Sequence, residues 1–67
     1  MDNKKLVAAR KVLEKDGYDV MNFLGETAEK ENGERVLVVS FMYTKPESYV
    51  PEYATVKIPM SRIKEFM

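Results

Sequence analysis

Apolar residues at Leu6, Ala9, Val12 and Leu13 recur at helical spacing, and Asp2 or Asn3 is placed to cap the segment. The pattern predicts a helix from about Lys4 to Lys15. Gly17 follows as a left-handed stop, and Tyr18 can pack back on Leu13 in a Schellman ending. From Tyr18 to Leu24 the chain reads as extended, but its alternation is imperfect. Val20 and Leu24 fall on one side, Met21 and Phe23 do not, and the inward face stays open. Residues 25–30 are polar and either continue this strand beyond a bulge at Gly25 or form a loop.

Asn32-Gly33 is the strongest short hairpin signal in the chain, because a type I′ turn needs positive φ at both central residues. The run Val36 to Tyr43 comes next. Alternate side chains of a strand point to opposite faces, so Leu37, Val39, Phe41 and Tyr43 share one face. Val36, Val38, Ser40 and Met42 share the other. Apolar groups on both faces require cover on both, or a partner on one. Thr44 to Glu52, with Pro46 and Pro51, reads as a loop. Tyr53 to Ile58 then alternates cleanly, with Ala54, Val56 and Ile58 on the dry side and Tyr53, Thr55 and Lys57 on the wet one. Pro59 ends this strand, and Ser61 is placed to cap a short helix bearing Ile63, Phe66 and Met67.

The expected architecture is α+β: an N-terminal helix, a three-stranded antiparallel meander and a short C-terminal helix (αβββα). Short connections make consecutive strands neighbours, which puts Val36–Tyr43 in the middle. The first helix should cover Ala54, Val56, Ile58 and one row of the middle strand. The opposite face is either roofed by the last helix or open to a partner.

Length confines all of this to one domain, residues 1–67. A chain this short buries only about 60% of the surface its unfolded form exposes. It has no cysteine and no histidine, which excludes disulfides, thiolate metal sites and the usual general base near neutral pH. Self-association is the remaining common source of buried area, so a homodimer is as reasonable an expectation as a monomer. The missing cysteines suit a reducing cytoplasm, and no apolar run approaches the roughly 20 residues that span a bilayer.

Candidate chemistry is sparse. The three glycines are isolated rather than gathered in a phosphate-binding loop, and Ser40 and Ser61 have no histidine to activate them. Glu26, Glu29, Glu31 and Glu34 flank the hairpin tip without the spacing of a calcium loop. No catalytic residue, metal, cofactor or small-molecule substrate is expected, and the chain reads as a non-enzyme.

Net charge is zero, yet the charges are grouped. Residues 1–15 carry a net +3, residues 16–34 a net −5 and the remainder +2. Lys4, Lys11 and Lys15 recur at helical spacing away from Leu6 and Leu13, with Lys5 and Arg10 at the margins. These five residues could meet phosphates, in binding that would be salt-sensitive and mostly sequence-blind. A second candidate is the loop Lys45 to Tyr53, whose near-repeat Pro46-Glu47-Ser48-Tyr49 and Pro51-Glu52-Tyr53 lies close to Tyr43. Prolines reduce the entropy lost on ordering, and tyrosines supply large amphipathic contact area. The leading expectation is therefore a non-catalytic interaction module that binds a protein, or itself. Its contact residues would be Tyr43, Tyr49, Pro51, Tyr53 and Thr55. The alternative is a nucleic-acid-binding accessory protein using the basic face of the first helix.

Overall fold

The computed structural model describes residues 3–67 and shows the order α1 (Asn3–Lys15), β1 (Asp19–Glu31), β2 (Glu34–Thr44), β3 (Glu52–Pro59) and α2 (Met60–Lys64). The strands form one antiparallel sheet in the order β1-β2-β3, so the expected αβββα meander is what the chain builds. The expected cap at Asp2 or Asn3 lies outside the described residues and side chains. No helix among the described residues is long and apolar enough to cross a membrane.

The end of α1 follows from Gly17, whose φ of 99° places it in the left-handed region. The Tyr18 amide donates to the Leu13 carbonyl at 2.9 Å and the Gly17 amide to Glu14 at 3.0 Å, the paired bonds of a Schellman motif. The chain thereby reverses and delivers Tyr18 to the core. There its ring meets Tyr43 edge-on at 4.9 Å and Phe41 at 5.2 Å. The next reversal is the two-residue turn between Glu31 and Glu34, with φ of 53° at Asn32 and 79° at Gly33.

One face of the sheet carries both helices. Leu37, Val39 and Phe41 of β2 are buried in a single cluster with Ala8, Ala9, Val12 and Leu13 of α1, Ile58 of β3 and Ile63 of α2. Ala54 and Val56 pack at its margin, as the alternation of β3 implies. α2 does not roof the opposite face. It lies beside α1, where Arg62 grips Asp16 through two hydrogen bonds of 3.0 and 3.1 Å. Its start differs from the expected one. Pro59, at φ −58°, occupies the cap position with no side-chain cap bond, and Ser61 lies inside the helix. Proline's fixed φ already suits the helix entry, so the chain turns two residues before the serine.

β1 is where the period-two pattern misleads. Register shifts against β2 occur between Val20 and Asn22 and between Phe23 and Gly25. Each adds a residue to one strand, so Val20 and Phe23, three apart, both reach the core cluster. Leu24, expected to share a side with Val20, is instead 51% exposed. Beyond the second bulge the strand continues to Glu31 in regular register, and every residue from Leu24 onward is exposed. The lengths explain why. A 13-residue helix such as α1 is about 20 Å long, while a strand of the same count runs to about 40 Å. α1 cannot cover all of β1.

Candidate interaction surface

The surface is assembled from cross-strand register. Residues directly opposite in an antiparallel pair share a face. Val38 sits between Thr27 and Lys57, Ser40 between Gly25 and Thr55, and Met42 between Asn22 and Tyr53. These nine positions make the face that neither helix touches. Its middle is apolar or hydroxyl-bearing: Val38 and Met42 are half-buried by their neighbours, and Tyr53 is 68% exposed. Ser40 and Thr55 satisfy each other across the strands, with Oγ and Oγ1 at 3.0 Å. At the hairpin end Lys57 reaches Glu31 at 3.2 Å, and Val36, in the recess these two help to line, is the buried member of its row. The result is a face of apolar, aromatic and hydroxyl groups with a charged end at the hairpin.

The structure divides the expected tyrosine–proline site. Tyr43 pairs with Glu52, whereas Tyr53 pairs with Met42 one position along, so the two tyrosines stand on opposite sides of the sheet. Tyr43 belongs to the helix-side aromatic group with Tyr18 and Phe41, its centroid 5.7 Å from that of Phe41. Tyr53 and Thr55 stay together on the open face. Tyr49, at 99% exposure, and Pro51 project from the connecting loop, beside Val50 at 69%. That loop is closed at its base by the Lys45–Glu52 pair at 3.4 Å. It is folded internally by the Ser48 amide on the Lys45 carbonyl at 3.0 Å and the Val50 amide on Ser48 Oγ at 3.3 Å. Its tyrosine is held outward rather than laid over the sheet edge.

The five basic residues of α1 are divided too. Arg10 donates to the Val20 carbonyl at 2.6 Å and pairs with Glu14 at 3.4 Å. Lys5 is not at the margin of the basic face. It shares the side of Ala8, Ala9 and Val12 and points into a cleft with Ala28, Lys30, Arg35, Leu37 and Met60. Lys4 is near Val7, Phe66 and Met67, and Lys11 and Lys15 are exposed.

Hydrogen bonding to Arg62 holds Asp16 below its usual carboxylate value, against a smaller opposing effect of desolvation, and the same contact raises Arg62. Among the described residues no polar or charged side chain is buried, and no three of His, Cys, Asp or Glu gather as a metal site would require. What the open face offers is shape, apolar area and hydroxyl groups. The edge of β1 is the feature that sequence reading left least defined, since two bulges hid where regular strand resumes. Comparison with known proteins adds no constraint, as no family model, curated protein or solved structure matches this chain.

Proposed function

We propose that this chain is a non-catalytic interaction module that binds a protein partner through its open sheet face and the adjoining tyrosine loop. The observation that carries the reading is the placement of both helices on one side, which leaves Val38, Met42 and Tyr53 uncovered. Exposed apolar and aromatic groups beside a charged margin suit a protein interface. Size sharpens the assignment. β3 limits the face to eight residues, roughly 27 Å, and three strands make it about 14 Å wide, so its flat area is roughly 400 Å². One side of a standard interface is about 800 Å². The loop bearing Tyr49 and Val50 adds exposed area beside the face of a single copy, and Tyr43 is left out because it faces the helices.

The test is capture of partners from the producing cells by immobilised protein, comparing the native chain with a Tyr49→Ala/Tyr53→Ala variant. Both positions are exposed, so the variant should unfold as cooperatively as the parent. Loss of specific capture is the expected outcome, and unchanged capture would remove this surface from consideration. The nucleic-acid reading has less to draw on, with Arg10 engaged and Lys5 turned into the cleft. Low-salt anisotropy with duplex and single strands, weakened by Lys11→Glu/Lys15→Glu, would reverse the order of the two readings.

A further inference from the structure

Both outer strands of the sheet present an unpaired edge, but they are defended unequally. β3 is short, is preceded by Pro51, and ends at Pro59, which has no amide to offer a neighbouring strand. The first part of β1 carries two bulges, and Arg10 occupies the Val20 carbonyl. Bulges and long cations are common defences against edge-to-edge pairing. From Gly25 to Glu31 the bulges stop, and Lys30 is the one long cation of the segment. Seven consecutive residues pair regularly with β2 and are exposed. They hang on the sheet by one ladder, the situation in which an isolated hairpin is only marginally stable.

Apart from Glu31, which pairs with Lys57, the charges of this segment form no ion pair among the described residues of one chain. Lys30 lies directly opposite Arg35, and both line the cleft that also receives Lys5, with Glu29 as its one carboxylate. Like charges facing each other across strands are destabilising. None of these three cations, nor Glu26, takes part in an ion pair in the described structure. Glu26 and Lys30 are four apart in a regular strand and so share the helix-side face.

We infer that residues 25–31 of β1 pair antiparallel with the same residues of a second copy, about a two-fold axis at Ala28. In that register Glu26 of each copy lies opposite Lys30 of the other, twice over. Thr27 meets Glu29, Gly25 meets Glu31, and the small Ala28 meets itself on the axis. Shifting the register by one residue either way places Glu29 or Glu31 opposite Glu26. Shifting it by two leaves no opposite charges facing. The arriving carboxylate also relieves the Lys30–Arg35 repulsion. A two-fold normal to the sheet keeps like faces together, giving a six-stranded sheet ordered β3-β2-β1-β1-β2-β3. Its open face is then doubled to roughly 800 Å² of flat area. The inference stands on β1 alone and does not need the tyrosine loop to bind anything.

Sedimentation equilibrium from micromolar to millimolar protein tests it. The native chain should approach twice its 7.8 kDa mass. Glu26→Lys and Lys30→Glu should each weaken the dimer about tenfold or more, because each reversal acts twice across the axis. The combined Glu26→Lys/Lys30→Glu swap should restore it, since the pairs re-form with signs exchanged. Both positions are exposed, and circular dichroism on each variant verifies that the strand persists. Tyr53→Ala should leave the mass unchanged, so failure of the face and failure of the edge are read separately. A monomer at every concentration, or a dimer indifferent to the single reversals or not rescued by the swap, would overturn the pairing.

Discussion

The two faces of β2 are built from similar residues and end in different circumstances. Leu37, Val39 and Phe41 are buried against α1 and α2, while Val38 and Met42, their immediate neighbours along the strand, have no second layer above them. Hydropathy alone does not distinguish the rows. The difference comes from a shortage of material: one 13-residue helix and one of five residues suffice for a single layer. A chain of this size chooses a face to close, and the other keeps its apolar groups at the surface.

Paired truncations along β2 should expose that contrast most strongly. Phe41→Ala removes the largest fully buried side chain, and a loss of about 3–5 kcal/mol is expected, enough to abolish a stable fold in so small a domain. Met42→Ala, one residue on, should cost about 1 kcal/mol or less because its side chain faces solvent. Urea unfolding of the two variants measures both, and comparable losses would mean that the open face is sealed in the isolated chain.

A smaller effect is expected at Gly17, whose left-handed conformation aims Tyr18 at the closed face. Gly17→Ala should destabilise by about 1–2 kcal/mol through backbone strain alone, since a methyl group there would meet no atom within 4 Å. The contact that fastens α2 to the closed side should matter less again. Asp16 and Arg62 keep 38% and 41% of their side chains exposed, so solvent screening keeps the pair's contribution small. Because the Asp16 pKa is depressed in the folded state, this contribution is whole above the ordinary carboxylate value of about 4. It fades as the pH falls through the lower folded value. Arg62→Gln should flatten that part of the acid-unfolding curve. Tyr53→Ala should register least, within about 0.5 kcal/mol, because its side chain is largely exposed in the lone chain.

Much of the fold was legible because local chemistry decided it. Gly17 followed by Tyr18 encodes the helix ending, Asn32-Gly33 encodes the hairpin, and the alternation of β3 names its dry row. β1 resisted because its inward residues, Val20 and Phe23, are spaced by bulges that period-two counting cannot represent. Ser61 looked like a cap because caps are read from side chains, whereas Pro59 sets the helix start through its backbone. The candidate site was legible only in part. Tyr43 and Tyr53 are near in space and lie on opposite faces, a distinction that depends on β2–β3 register rather than on either residue's neighbours in sequence. Lys5 was misplaced for a related reason: a long cation at the end of a helix can sit on the core side where the core runs out.

Site-specific photo-crosslinking in the producing cells gives the most direct comparison of the uncovered face with ordinary surface. A photoreactive residue at Met42 and another at Lys11 would report from two sides of the same molecule. Discrete protein adducts from position 42 and none from position 11 are the expected result. Adducts from 11 alone, or none from 42 while the domain is folded, would contradict the assignment of the open sheet face as the place where this chain meets its partner.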